Sequence, residues 1–109
     1  MKRVNEACKE ALGEIVQEKI KDPRVGFVTV TRVEVSPDLK QAKVWLSVLG
    51  TDEEVDDCMR AMERAKGFMR RELGRRVRMR YTPELRLRLD RGAEVSERVQ
   101  GILNRLEEK

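Results

Sequence analysis

A chain with no histidine has few catalytic chemistries open to it. Without imidazole there is no Ser-His or Cys-His dyad, no base poised near neutral pH and no histidine metal ligand. The two cysteines, Cys8 and Cys58, form no CxxC pair. Both fall on apolar helical stripes and read as small buried hydrophobes in a reducing compartment. Gly67 and Gly74 lack the companion residues of a phosphate-cradling loop. The carboxylates Asp52, Glu53, Glu54, Asp56 and Asp57 lack the alternation and central glycine of a calcium loop. They suit a helix start, where acids meet the positive end of the helix dipole. Catalytic residues, a metal site and cofactors are therefore expected to be absent, and the chain is expected not to be an enzyme.

Arginine is what the chain offers instead. The formal charge of +4 conceals an asymmetry: residues 1–59 carry a net −3, residues 60–91 a net +8 and residues 92–109 a net −1. Arg60, Arg64, Lys66, Arg70 and Arg71 decorate one helical segment, and Arg75, Arg76, Arg78 and Arg80 follow it. A solvated face with balancing acids would explain scattered bases, as it does in residues 1–59. It does not explain a stretch with three times as many bases as acids, because like charges at helical neighbour positions repel. Clustered bases are the electrostatic footprint of an anion-binding surface, and the planar guanidinium fork suits phosphate. Arg64, Lys66, Arg70, Arg71, Arg75, Arg76, Arg78 and Arg80 are the candidate binding residues. Nucleic acid and an acidic protein both fit that charge.

The elements that position this block follow from periodicity. Val4, Cys8, Ala11, Leu12, Ile15, Val16 and Ile20 recur every three or four residues and predict a helix. Asp22-Pro23 ends it. Gly26 to Val35 predicts a strand whose alternation changes phase between Val30 and Val33, as a bulge near Thr31-Arg32 or partial burial of both faces would produce. Ser36-Pro37-Asp38 is a turn signal. Gln41 to Leu49 predicts the second strand of an antiparallel hairpin, with Ala42, Val44, Leu46 and Val48 inward. Trp45 faces the other way. Packing against a neighbouring element is the commoner fate of such a residue, and stacking on an unpaired base is the other.

Val55, Cys58, Met59, Met62, Ala65, Met69 and Leu73 predict a long helix running to Gly74, with Gly67 as the place for a kink or a break. Arg75 to Arg80 alternates basic and apolar residues as an extended segment does. Glu84 to Asp90 predicts a third strand, with Leu85, Leu87 and Leu89 inward and Arg86 and Arg88 outward. Val95, Val99, Ile102, Leu103 and Leu106 predict a last helix. The sum is one α+β domain over residues 1–109, a three-stranded sheet with helices on one face. The long crossover allows the second and third strands to lie parallel. No leader is expected from Met1-Lys2-Arg3-Val4-Asn5-Glu6, and no membrane span, so a cytoplasmic location is expected; the chain is also expected to be a monomer.

These residues also resemble a known family. Lys21-Asp22-Pro23-Arg24-Val25-Gly26-Phe27-Val28-Thr29-Val30-Thr31, then Val33-Glu34-Val35-Ser36-Pro37-Asp38-Leu39, are similar to ribosome-binding factor A. So are Ala42-Lys43-Val44, Gly67-Phe68-Met69-Arg70-Arg71-Glu72-Leu73-Gly74, and Arg78-Met79-Arg80-Tyr81-Thr82-Pro83-Glu84-Leu85-Arg86. Together they span nearly the whole chain. The resemblance implies a KH-like domain of the type II arrangement, in which a helix–kink–helix built on Ala65-Lys66-Gly67 replaces the backbone-clamping GxxG loop. It implies as partners the free small (30S) ribosomal subunit and its 16S rRNA, whose late maturation and 5′-end processing family members assist, notably in the cold. The basic ridge from Arg64 to Arg80 would then neutralise about five to eight phosphates.

Overall fold

The computed structural model describes residues 2–18 and 27–91. Five elements follow in order: α1 (Lys2–Glu18), β1 (Phe27–Val35), β2 (Gln41–Leu49), α2 (Asp52–Arg76) and β3 (Glu84–Leu89). The sheet order is β1-β2-β3, with β1 antiparallel to β2 and β2 parallel to β3. Both helices pack on one face of the sheet, giving two layers with a single core between them. The Asp22-Pro23 stop and the helix expected around Val95 to Leu106 lie outside the described residues.

Of the two explanations for the phase change in β1, the bulge is the one present. Val30 pairs with Leu46 and Arg32 with Trp45, leaving Thr31 as the extra residue. Val28, Val30, Val33 and Val35 consequently all reach the same core. The Thr31 hydroxyl donates to Asp90 Oδ2 at 2.7 Å and lies 3.3 Å from the Trp45 carbonyl, so the bulge is tied across β2 to the end of β3. At the hairpin, the Ser36 hydroxyl and the Lys40 N–H both donate to Asp38 Oδ1, and Leu39 takes a positive φ of 62°. Those bonds hold the Asp38 carboxyl below its usual range, the Ser36 contact first among the causes.

The core is aliphatic and sulfur-rich, as 4% aromatic content requires. From α1 come Cys8, Ala11, Leu12, Ile15 and Val16; from α2 come Val55, Cys58, Ala61, Met62, Met69 and Leu73. Cys8 and Cys58 are unbridged and buried, and burial raises the Cys8 thiol above its ordinary pKa. Two polar residues stitch α1 onto β1: Gln17 Nε2 donates to the Val28 carbonyl, and Asn5 Oδ1 accepts from the Val35 N–H. These side chains occupy backbone groups of an edge strand, which would otherwise invite strand pairing.

The structure decides one open point in the course of the long helix and corrects another. α2 is one continuous helix through Ala65-Lys66-Gly67 and does not break into two. It also runs two residues beyond Gly74, so Arg75 and Arg76 form its last turn and only Val77 onward is extended. Gly74 does not stop the helix; it lets the returning chain come close. A Cβ there would sit 2.8 Å from Thr82 Oγ1.

Candidate nucleic-acid interface

α2 carries the basic block, and its ends are built for opposite charges. Thr51 caps it: the Thr51 hydroxyl accepts from the Glu54 N–H, and the Glu54 carboxylate accepts from the Thr51 N–H, both at 3.2 Å. This reciprocal pair satisfies two N-terminal donors. Asp52, Glu53 and Glu54 fill the first turn, and Arg75 and Arg76 the last. Both placements complement the helix dipole. The acidic run is therefore a helix start, and among the described residues no cluster of His, Cys, Asp or Glu could hold a metal ion.

The spacing on α2 sorts the arginines. Arg60, Arg64, Arg71 and Arg75 follow at intervals of four, seven and four, which puts them on one exposed stripe. Gly67 lies on the same stripe, three residues after Arg64 and four before Arg71. A Cβ at Gly67 would meet only Arg71 Nη1, at 3.9 Å, so the backbone there is uncovered.

Several of the eight candidate residues already have partners within the domain. Arg70 donates through Nε and Nη2 to the Thr82 carbonyl, at 3.3 and 2.9 Å, and so fastens residues 77–83 back onto α2. Arg76 pairs with Glu14 at 3.1 Å, joining the end of α2 to α1; its side chain is only 26% exposed. Lys66 pairs with Glu63 at 3.0 Å. Arg75 stands 4.0 Å from Glu72 with its side chain 78% exposed, a loose pair of little energetic weight. Arg80 lies over the Tyr81 ring at 5.7 Å. Among the described residues, Arg64, Arg71 and Arg78 are exposed with no hydrogen bond or ion pair to the rest of the domain. The eight therefore divide into cations turned outward (Arg64, Arg71, Arg75 and Arg78) and side chains that also hold the ridge in shape (Arg70 and Arg76 above all).

Arg60 extends the outward stripe by one turn and could have been found by counting four back from Arg64. Its guanidinium is paired with Asp57 at 2.6 Å, though both side chains are more than half exposed. The outward faces of β2 and β3 hold further cations, Lys43, Arg86 and Arg88; the two on β3 fall within the +8 stretch but off the helix to which that stretch points. Trp45 is half-buried and meets a side chain of the neighbouring strand β1. Among the described residues no helix covers it; the Arg32 guanidinium lies over its ring at 4.7 Å.

No helix among the described residues is long and apolar enough to cross a membrane. The αββαβ order, the mixed three-stranded sheet and the helices on one face define a small KH-like domain, one without a GxxG loop. A family profile for ribosome-binding factor A matches residues 1–103. A ribosome-binding factor A of Staphylococcus carnosus is 46% identical over 107 residues, 98% of this chain and 93% of that protein. The crystal structure of ribosome-binding factor A from Thermus thermophilus superposes with a TM-score of 0.72 at 32% identity, covering 81% of this chain and 93% of the other. Thermus thermophilus ribosome-binding factor A, as a homology model fitted into a cryo-EM map of a complex with the 30S subunit, gives a TM-score of 0.63 at 35% identity, over 76% and 87% of the two chains. The chain belongs to the ribosome-binding factor A family.

Proposed function

We propose that this domain binds the free 30S ribosomal subunit and assists late maturation and 5′-end processing of its 16S rRNA. It acts in the cytoplasm as a monomer, makes and breaks no bond itself, and matters most in the cold, where misfolded RNA escapes slowly. The observation that carries the reading is the outward stripe of Arg64, Arg71 and Arg75 on α2, continued by Arg78. A family member fitted into a 30S map gives the partner. Phosphates lie along the stripe, and Gly67 leaves the helix backbone bare between Arg64 and Arg71, where a phosphate approaches most closely. Arg70 and Arg76 keep the ridge rigid, so little ordering entropy opposes docking. Lys66 and Arg80 flank it.

Four outward arginines make a smaller contact than the whole basic block would suggest. At roughly 0.7 counterions released per single-strand phosphate, the slope of log affinity against log salt is about −3. Sucrose-gradient co-sedimentation with purified small subunits and with whole ribosomes, at low and high salt, tests this. The expected result is salt-sensitive binding to the free small subunit alone, abolished in the folded triple variant Arg64→Glu, Arg71→Glu, Arg75→Glu. Unchanged association of that variant, or no association of the wild type with either particle, overturns the reading.

A further inference from the structure

The α2 ridge leaves the other face of the sheet unexplained. Period-two alternation sends Phe27, Thr29, Arg32 and Glu34 of β1, Lys43, Trp45 and Ser47 of β2, and Arg86 and Arg88 of β3 away from the core. Register then assembles them. Trp45 pairs laterally with Arg32 on one side and Arg88 on the other, and Lys43, two residues before it, pairs with Arg86. The chain's one tryptophan thus stands among four cations. Lys43, Arg86 and Arg88 are exposed and have no hydrogen bond or ion pair among the described residues. Opposing them are Glu34, already bonded to Arg32 at 2.8 Å, Glu84 at the start of β3, and Asp90 just past its end, whose carboxylate accepts from the Thr31 hydroxyl. Trp45 itself is half-buried, and an exposed aromatic, Phe27 at 80%, lies four register steps along the sheet, roughly 13 Å at the usual rise per strand residue.

A basic sheet face with an aromatic at its centre has the composition of a single-strand platform. Cations track the backbone, and the ring offers a face on which any base can stack. A duplex, with its bases already stacked, cannot use the ring. Arg32 occupies that ring face in the free protein, but weakly: its side chain is 65% exposed, and its contacts are one solvent-screened ion pair and one exposed cation–π contact. An incoming base replaces the guanidinium on the ring, and the guanidinium is freed to meet a phosphate. We infer that the open sheet face is a second RNA-contacting surface, on which Trp45 receives an unpaired base in place of Arg32 while Lys43, Arg86 and Arg88 hold the adjoining phosphates. This surface lies on the side of the sheet opposite α1 and α2, and it stands whether or not the α2 ridge docks as proposed.

The lone tryptophan reports on this site directly. The full-length protein is titrated with a short unstacked oligouridylate and with an RNA duplex of equal length, following Trp45 emission and the polarisation of a labelled oligonucleotide. Saturable quenching by the single strand and not by the duplex is expected. Polarisation should show about tenfold weaker binding for Trp45→Leu, within the range of base–aromatic stacking, and near-normal binding for Trp45→Phe. The Lys43→Glu, Arg88→Glu double variant, altered only at exposed positions, should weaken binding further with a shallower salt dependence. The α2 triple variant should keep its quenching, which separates this surface from the subunit-docking ridge. Single-strand binding without a change in Trp45 emission, or full affinity in the Lys43→Glu, Arg88→Glu variant, overturns the inference.

Discussion

Three helical glycines, Gly13, Gly67 and Gly74, give a test of whether α2 is continuous and of how closely the returning chain packs on it. Glycine in a helix interior costs about 1 kcal/mol relative to alanine, wherever alanine has room. Gly13 has nothing within 4 Å of an added Cβ, and Gly67 only the Arg71 guanidinium at 3.9 Å. Gly13→Ala and Gly67→Ala should therefore each stabilise the domain by about 1 kcal/mol, roughly 4 °C in Tm for a chain of this size. Gly74 is the opposite case. Its added methyl falls 2.8 Å from Thr82 Oγ1 and 3.5 Å from Thr82 Cγ2. Thr82 is β-branched, precedes the buried Pro83 and has its carbonyl held by Arg70, so it has little freedom to retreat.

Overpacking of this kind costs about 1–3 kcal/mol, which outweighs the helical gain and leaves Gly74→Ala a net loss of up to about 2 kcal/mol. The two substitutions on α2, seven residues apart, should therefore shift stability in opposite directions. Urea denaturation followed by circular dichroism measures all three, and the double variant Gly74→Ala, Thr82→Ala should recover most of the loss as a positive coupling. A destabilising Gly67→Ala would refute the reasoning, because it would require a backbone at position 67 that alanine cannot adopt. Equal effects at Gly67 and Gly74 would refute the close approach of Thr82. The same Gly67→Ala variant should bind the small subunit more weakly although it is the more stable protein, since its methyl covers the bare backbone between Arg64 and Arg71.

Other expectations follow from burial and hydrogen bonding. Cys8 and Cys58 are almost wholly enclosed, and burial raises the Cys8 thiol, so an aromatic disulfide reagent should label neither until the domain unfolds. Leu85 is the fully buried leucine of β3, and Leu85→Ala should cost about 2–5 kcal/mol in denaturant melts. Leu87→Ala, at a half-buried position, should cost less. Asp38, whose carboxyl is held below its usual range in the fold, stabilises the hairpin above its unfolded pKa and loses that contribution as pH falls through the folded value. Asp38→Asn should accordingly lower stability at neutral pH, and its deficit should shrink in melts taken below about pH 4.

Much of this architecture was legible because it depends on local pattern. The alternation of β2 set its inward residues, and the phase change between Val30 and Val33 allowed a bulge or burial of both faces, between which pairing decides for a bulge at Thr31. The seven apolar positions assigned to α2 all face the core, five fully and Met59 and Ala65 in part. The helix end was misjudged for a physical reason. Gly74 looks like a terminator because glycine disfavours helix, yet here it answers a steric demand from Thr82, a residue eight positions later in an extended segment. Nothing within the helix itself carries that information.

The site was less legible than the fold, and the arginines show why. Charge can be counted along a chain, but its availability depends on partners that are often distant in sequence. Arg76 and Glu14 are 62 residues apart, and their pairing depends on how α1 lies against α2. Arg70 looks as free as Arg71, but their Cα–Cβ vectors differ by one helical step, and one guanidinium grips the Thr82 carbonyl while the other faces solvent. The open sheet face was hidden by the converse effect. Arg32 and Lys43 sit in the acidic half of the chain and Arg86 and Arg88 in the basic block, and only the register of β1, β2 and β3 gathers the four round Trp45. A basic run is thus best searched for the members that the fold consumes, and a sheet for charges that pairing brings together. On that argument the α2 triple variant and the Lys43→Glu, Arg88→Glu variant should fail in different assays, the first in subunit co-sedimentation and the second in single-strand binding.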